Sequence, residues 1–503
     1  MKIQSWLLAS LLVPLGAMAQ APTAPPSAAA KSEIEQRAEA LGEQQIEQSH
    51  DITALSTLAQ IYATKQDFQR MTWTLKRLTE LLPNSGDLRL QLAMAYCKLP
   101  GEKPKSSAYD TLLHMQVQGF GYDIAKDPRF ASIQGTRVWD YIVRNLQANS
   151  KPFGEGKAAF EMAQGDHVYD ALAWDPKRKQ LLLGSRRDGS VQLVDEGGKS
   201  KPFIAADAAN GPWSADAIGV DAQHGKLYVA SSASPLFKGF NADNAGRAGV
   251  FEFDLASGKL EKKYMLPQSD GAHILSRIAV AKDGNVYVAD GARRLVYKLE
   301  GGALKEILTN PRLTGISGLA VSDDGKKLYL SDYAMGVFGL DLTNSQPFEL
   351  KYDPASLVLG GIDSLAWYEG HLVIVESGMV PKRVMRLKLG DDGQTVQAAM
   401  PLDVAQTAFG AFGQAAVAGD KLYFVANRED DLYDANGVLT ESGSLEPTTI
   451  WRSDLRFAWG QKGVSGGGNL APIGPGGAPS SIPVSRKPGV QPQPQPAKDK
   501  DGK

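Results

Sequence analysis

Three aspartates stand at matching positions of a phrase that recurs along the chain. Asp170, Asp216 and Asp363 open the runs "DALAWD", "DAIGVD" and "DSLAWY". Carboxylates that converge on one point raise each other's pKa or hold a cation between them. Calcium or another divalent cation, which prefers six or more oxygen ligands, is therefore the possible cofactor of a site formed by these three residues. The other interpretation is that each aspartate accepts backbone hydrogen bonds where a strand begins.

The phrase around these aspartates occurs six times within residues 154–456. Its copies begin at intervals of about 41 to 60 residues, at Asp170, Asp216, Ser276, Ser317, Asp363 and Gly413. Each copy consists of an apolar strand, a polar turn and a second strand, a third strand follows each time, and a fourth follows in most. Four antiparallel strands in radial repetition form a blade, so the sequence predicts a six-bladed β-propeller. The sixth copy lacks a fourth strand, which "KAAFEMA" from Lys157 is predicted to supply.

One mouth of the central channel is the predicted site. The inner strand of every blade begins at the same face, and the loops between second and third strands open there. The candidate ligand-binding residues of this mouth are Ser276, Arg277, Ser317, Asp332, Glu376 and Arg428. Arg277 lies beside the aspartates and could neutralise them, which argues against a metal.

The phrases "SGLAVSDDGKKLYLSD" from Ser317 and "SRIAVAKDGNVYVAD" from Ser276 resemble the six-bladed propellers of the gluconolactonase/regucalcin (senescence-marker-protein-like) superfamily and its NHL-repeat cousins. The resemblance covers about 300 of the 503 residues. It implies a metal held by an acid from the first copy, an Asn from the third and fourth copies, and an Asp from the fifth. Asp170 and Asp363 match this pattern, whereas serines stand at both Asn positions.

The same resemblance implies a histidine near the metal that activates water. His273, three residues before an inner strand, is the catalytic candidate for this role, since histidine is the usual general base near neutral pH. The alternative is a surface-loop histidine without a catalytic role.

Residues 32–150 have a helical pattern of apolar residues and precede the propeller. Seven of them fall at the offsets of a tetratricopeptide (TPR) repeat, namely Leu58, Ala59, Tyr62, Met71, Leu75, Leu78 and Pro83. A second unit and a terminal helical cap follow. The overall prediction is a multidomain α plus all-β protein in which a short TPR-like α-helical array precedes the six-bladed β-propeller. The array either presents a surface to a protein partner or serves as a spacer that packs against the propeller.

Both ends of the chain differ in composition from these domains. Residues 1–19 have the layout of a signal peptide with cleavage after Ala19, which predicts a periplasmic or secreted protein. Residues 20–31 are a predicted linker, and residues 460–503 a predicted disordered tail rich in Gly and Pro. No other segment approaches the length of a transmembrane helix. The net charge of −2 gives no reason to expect nucleic acid as a partner.

Two main functions are compatible with these patterns, and a structural subunit of an envelope complex is a third possibility. The first is an exported binding or scaffold protein that presents the TPR-like surface and the propeller mouth to a protein partner or a small ligand. The alternative is a metal-dependent lactonase or esterase-type hydrolase, in which Asp170, Asp216 and Asp363 hold Ca²⁺ and His273 acts as base. Whether the protein is an enzyme stays open at this stage.

Overall fold

The computed structural model describes residues 41–207, 211–268, 271–440 and 445–460, together with the backbone of Val464 and Ser465. The predicted signal peptide 1–19, the linker 20–31 and nearly all of the predicted tail 460–503 lie outside the described residues. These assignments, and the cellular location inferred from them, stay predictions.

The N-terminal part of the described chain is helical. Its elements are α1 Glu43–Gln48, α2 Ile52–Lys65, α3 Phe68–Leu81, α4 Gly86–Lys98, α5 Glu102–Val117 and α6 Arg137–Asn149, with a 3-10 turn at Pro128–Phe130. Asp51, Asp67, Ser85 and Thr136 cap the starts of α2, α3, α4 and α6 by accepting a backbone N–H. The predicted helical array is confirmed, whereas its assignment to the TPR class stays a prediction. In the described part of the chain, we find no helix with the length and apolar character needed to cross a membrane.

The first three blades each consist of four consecutive antiparallel strands. Blade one contains β3 Tyr169–Asp175, β4 Gln180–Ser185, β5 Val191–Val194 and β6 Ser200–Ile204. Blade two contains β7 Ser214–Asp221, β8 Lys226–Ser232, β9 Ala248–Asp254 and β10 Leu260–Met265. Blade three contains β11 Arg277–Val280, β12 Val286–Asp290, β13 Leu295–Glu300 and β14 Ala303–Thr309.

The last three blades include strands from distant parts of the chain. Blade four contains β15 Ile316–Val321, β16 Lys327–Asp332, β17 Gly336–Asp341 and β18 Gln346–Glu349. Blade five contains β19 Ile362–Tyr368, β20 His371–Glu376, β21 Arg383–Leu389 and β22 Val396–Val404, and its outer edge also pairs with β1 Phe153–Gly154 and β26 Val464–Ser465. Blade six contains β23 Ala415–Ala418, β24 Lys421–Val425, β25 Thr448–Asp454 and β2 Lys157–Met162.

The ring closes as predicted. The strand that begins at Lys157 pairs antiparallel with β25 and forms the outer strand of blade six. Apolar clusters fill the spaces between neighbouring blades, such as Leu182, Val191, Ile218 and Phe251 between blades one and two. The six-bladed propeller is therefore confirmed, and its inner strands begin at one common mouth.

The helical part docks on the mouth face over blades four and five. The propeller segments that it contacts are the connections 333–335, 350–361 and 377–382, all of which lie at that face because they precede inner strands or follow second strands. Asn84 donates to Ala334 O and accepts from Leu359 N, both at 3.3 Å. Val358 and Met379 belong to the same apolar cluster as residues of α4, α5 and α6.

Arg383 is the polar centre of this docking. Its guanidinium donates to Glu376 Oε2 at 2.6 Å, and to the backbone oxygens of Gln118 and Val358 at 3.0 Å each. Gln118 O lies at the C-terminal end of α5, where a cation is favourable because of the helix dipole. Burial raises the pKa of Glu376 to about 7, with Arg383 acting in the opposite direction. The arginine of a buried charge pair in blade five thus also binds the end of a helix.

We expect Arg383→Ala to lower the free energy of unfolding by about 2 to 5 kcal/mol, because it leaves the buried backbone oxygens of Gln118 and Val358 without their donor, at about 1 to 3 kcal/mol each. Urea denaturation measures this change. Arg312→Ala, at an exposed position of the propeller, serves as the control and should stay within about 0.5 kcal/mol of the unmodified protein. Equal effects of the two substitutions would contradict the role given to Arg383.

Candidate functional site

The three predicted aspartates do meet at the mouth, and guanidinium groups from three blades lie among them. Asp170 lies in β3, Asp216 in β7 and Asp363 in β19. Arg186 contributes from the loop after β4, Arg277 from the start of β11 and Arg428 from the loop after β24. Because the inner strands all begin at this face, residues far apart in sequence form one cluster.

Asp170 is the centre of this cluster. Its Oδ2 lies 3.8 Å from Arg277 Nη1 and 3.9 Å from Arg186 Nη1, and its Oδ1 lies 3.6 Å from Arg428 Nη1. These distances give strong Coulomb attraction but are too long for direct hydrogen bonds. The Asp170 side chain is only 5% exposed, so the three positive charges compensate a carboxylate that is nearly removed from solvent.

Three polar atoms of the cluster have no hydrogen-bond partner among the described residues. They are Asp170 Oδ1, Asp216 Oδ2 and Arg277 Nε, and all three are buried. Gly413 packs directly beside Asp170, and a Cβ at this position would lie 3.0 Å from Oδ1. Polar groups at such separations commonly interact through a bridging water or a ligand atom.

Asp430 forms the outer layer of the cluster. It accepts from Arg428 Nε at 2.7 Å and from Arg186 Nη1 at 3.3 Å, so one carboxylate bridges two guanidinium groups. Its side chain is 22% exposed and is therefore the most accessible charged group of the cluster. We did not select Asp430 from the sequence because its loop has no recognised ligand spacing; the charged run "REDD" was the available signal.

Burial and charge act in opposite directions on the carboxyl groups of the mouth. Burial raises the pKa of Asp216 to about 7, although Arg186 and Ser232 favour its ionised form. Burial also raises the pKa of Asp363 to about 6, against the effects of Arg428 and Ser377. For Asp430, burial would raise the pKa, but Arg428 and Arg186 hold it below its usual range. The outer carboxyl is thus ionised at neutral pH, while two inner ones exchange protons there.

The donor set at the mouth does not fit a divalent cation. Three guanidinium groups occupy the space around the carboxylates that a cation would need. The two serines at the positions of the implied amide ligands are engaged elsewhere, because Ser276 donates to Ile316 O at 2.7 Å and Ser317 pairs with Ser331 at 3.1 Å. Within the described ranges, no group of three or more His, Cys, Asp or Glu side chains is arranged to hold a metal ion.

His273 lies in the loop before β11 but is 5% exposed rather than open to the channel. Its Nδ1 lies 2.6 Å from Asp290 Oδ2 in the same blade. Asp290 also accepts from the backbone N–H of Ile274 and Arg293, so it holds the loop that carries the histidine. These contacts describe a buried histidine fixed by a carboxylate. The catalytic role of His273 stays a prediction.

Asp332 and Glu376, both predicted mouth residues, form internal contacts at the ends of second strands. Asp332 is fully buried and accepts from the backbone of Thr314, Gly315, Ala334 and Met335. It fixes the loop before β15 and the turn after β16. Glu376 pairs with Arg383 beneath the helical part. The structure therefore brings Asp170, Asp216, Asp363, Arg277 and Arg428 together and directs these two acids elsewhere.

Long loops and the helical part stand on opposite sides of the mouth. The blade-two loop 233–247 and residues 426–440 of the blade-six loop meet above blade one. Arg187 donates there to Gly437 O at 3.1 Å, and its guanidinium lies 4.4 Å from the Tyr433 ring centre. Tyr433 also donates to Asp166 at 2.8 Å. The helical part stands over blades four and five. The cluster therefore lies between two walls.

The comparisons with known proteins identify similar folds. No protein-family model and no curated protein sequence matches the chain. A gluconolactonase from Xanthomonas campestris is 16% identical with a TM-score of 0.39, over 61% of this chain and 92% of that one. A PQQ-bound aldose sugar dehydrogenase from Streptomyces coelicolor is 16% identical with a TM-score of 0.40, over 60% and 100%. The Malassezia sympodialis allergen Mala s 1 is 14% identical with a TM-score of 0.43, over 58% and 94%. These similarities concern the fold alone.

We expect neither calcium at millimolar concentration nor a chelator to change the thermal midpoint of the purified protein, because guanidinium groups already compensate the carboxylates. A cation at 100 times its dissociation constant would stabilise the folded state by about 2.7 kcal/mol. Differential scanning calorimetry with calcium, magnesium and EDTA checks this expectation. A midpoint that rises with calcium and falls with EDTA would contradict it.

Proposed function

We propose that the protein binds a small polyhydroxylated molecule at the mouth of its propeller. The observation that carries this proposal is the set of gaps around Asp170, where three guanidinium groups stand at 3.6 to 3.9 Å. Atoms placed in these gaps would complete hydrogen bonds that the side chains do not make with one another.

The chemistry of the three unpartnered atoms favours hydroxyl groups. Asp170 Oδ1 and, when ionised, Asp216 Oδ2 require a donor, and Arg277 Nε requires an acceptor. A hydroxyl can donate and accept, so a molecule with several hydroxyls can satisfy these atoms together. A purely apolar ligand would leave three buried polar atoms unsatisfied, at a cost of about 1 to 3 kcal/mol each.

Two broader parts of the proposal concern location and partners. We assign the protein to the periplasm or the exterior of the cell because of the signal-like sequence of residues 1–19. We also assign to the helical array a surface for a protein partner, because arrays of short helix pairs commonly present such a surface.

Titration of the full chain with sorbitol, followed by calorimetry, tests binding at the mouth. We expect Arg277→Lys to weaken sorbitol about tenfold, because lysine keeps the charge but removes the Nε–H donor. Arg312→Lys, at an exposed position, is the matched control and should leave the affinity unchanged. Equal affinities of the unmodified protein and Arg277→Lys, or no sorbitol binding at all, would contradict the proposal.

Hydrolysis of a bound lactone or ester is the second candidate function. The observation that favours it is that Asp216 and Asp363 have pKa values of about 7 and about 6, so each can accept a proton near neutral pH. A carboxylate in this range is suited to act as a general base that takes a proton from an attacking water. The resemblance of the repeated phrases to gluconolactonase-like propellers makes a sugar lactone the first substrate to assay.

If the mouth is hydrolytic, the rate of glucono-δ-lactone opening should rise as pH increases through about 6 to 7, because the base must be ionised. Substitution of the acid that acts as base, by Asp216→Asn or by Asp363→Asn, should lower the rate about 100-fold or more, whereas substitution of the other acid should have a smaller effect. EDTA should have no effect, since no metal enters the step. A rate equal to the uncatalysed reaction at every pH would exclude hydrolysis of this substrate and leave the binding proposal intact.

A further inference from the structure

The outermost charged contact of the mouth is a carboxylate that belongs to the protein itself. Asp430 lies on the blade-six loop and is held by Arg428 Nε at 2.7 Å and Arg186 Nη1 at 3.3 Å. It contributes one oxygen to each guanidinium, as a free carboxylate ligand would. The two arginines therefore already form a receptor for a carboxylate group.

The backbone at the two arginines is well anchored. The Arg428 N–H donates to Ala411 O at 2.6 Å, and the Arg186 N–H donates to Val168 O at 2.9 Å. Asp430, in contrast, begins a single 3-10 turn of Asp430–Leu432 within the long loop. Its contacts with the cluster are made by its side chain, so rotation of that side chain would release both arginines without movement of a strand.

The charges of the cluster favour an anion once Asp430 has left. Three guanidinium groups then face Asp170, Asp216 and Asp363. Without the Asp430 carboxylate the cluster has one negative charge fewer, and Arg186 and Arg428 lose the carboxylate oxygens that they contact most closely. Behind them, Arg277 Nε lies buried without a hydrogen-bond partner among the described residues.

We propose that Asp430 occupies a carboxylate-binding site of the mouth, and that the ligand carries a carboxylate that displaces it from Arg186 and Arg428. This inference rests on the proposed binding of a hydroxylated molecule at the same mouth and names the charged group of that molecule. Asp430 acts as an internal competitor, which lowers the apparent affinity for the ligand.

Titration of the full chain with D-gluconate and with sorbitol separates the carboxylate from the hydroxyl contribution. The two probes have similar hydroxylated chains, and only gluconate has the carboxylate. In Asp430→Asn, which keeps the size of the side chain and removes its charge, we expect gluconate to bind at least about tenfold tighter than in the unmodified protein. Sorbitol should bind both proteins equally. The gain should disappear when Arg428→Gln is added.

Asp431→Asn provides the matched control, because Asp431 is the next residue of the same loop and its side chain is exposed. It should leave the affinity for gluconate unchanged. A second measurement covers the case in which Asp430→Asn folds poorly. Asp430→Ala should have a lowered thermal midpoint, and acetate, which reproduces the missing side-chain carboxylate, should restore it while it leaves the unmodified protein unaffected.

Three outcomes of these titrations would contradict the carboxylate site. Equal gluconate affinity of the unmodified protein and Asp430→Asn would overturn it, and equal sorbitol binding in the same experiment would show that binding at the mouth survives. Tighter binding of inorganic phosphate to Asp430→Asn, as large as that of gluconate, would overturn the assignment to carboxylates. Absence of binding by all probes to every variant would reject both this inference and the proposed function.

Discussion

A buried carboxylate at the axis of a propeller requires compensation, and the mouth of this protein is organised around that requirement. Asp170 is surrounded by guanidinium groups of blades one, three and six. Removal of a single carboxylate from water is costly unless opposite charge or hydrogen bonds replace the solvent. The compensation comes from side chains that reach the axis from separate blades, so it exists only when the ring is complete. The site and the closed propeller therefore depend on each other.

The helical part contributes to the same region through a different buried pair. Arg383 joins Glu376 of blade five to the end of α5 and fixes the helices over the mouth face. The adjoining contacts of Val358 and Met379 bury apolar surface between the helices and the propeller. The hydrogen bonds of the guanidinium fix the orientation of the helices, because they require a defined geometry. The mouth that holds the cluster is thus bordered by the helical part on one side and by the blade-two and blade-six loops on the other.

The repeating part of this architecture could be predicted because it follows from periodicity. The phrase that begins at Ser317 specifies an inner strand, a turn and a second strand. Blade six lacked an outer strand, and the strand from Lys157 was the one strand without a blade, so their pairing could be predicted. The site was predictable only as a set of positions at one face. The sequence placed Asp332 and Asp170 equally well at the mouth, but the first satisfies five backbone and side-chain donors of its own blade while the second faces the axis. Such differences depend on loop geometry, which has no repeating pattern.

The position of the helical part was likewise unpredictable, since Arg383, Asn84 and Gln118 make contacts that no local motif signals.

Docking of the helices over blades four and five has a consequence for the order of assembly. Asn84 contacts Leu359, 275 residues later in the chain. When synthesis begins at the N-terminus, the helices are complete long before their docking surface exists. The last strand of blade six likewise pairs with β2 near the start of the propeller. Contacts between residues so far apart in sequence require a long loop to close, which costs chain entropy. Final assembly should therefore be slow relative to the formation of individual hairpins and helices. Until the ring closes, Arg186, Arg277 and Arg428 cannot all surround the carboxylate of Asp170.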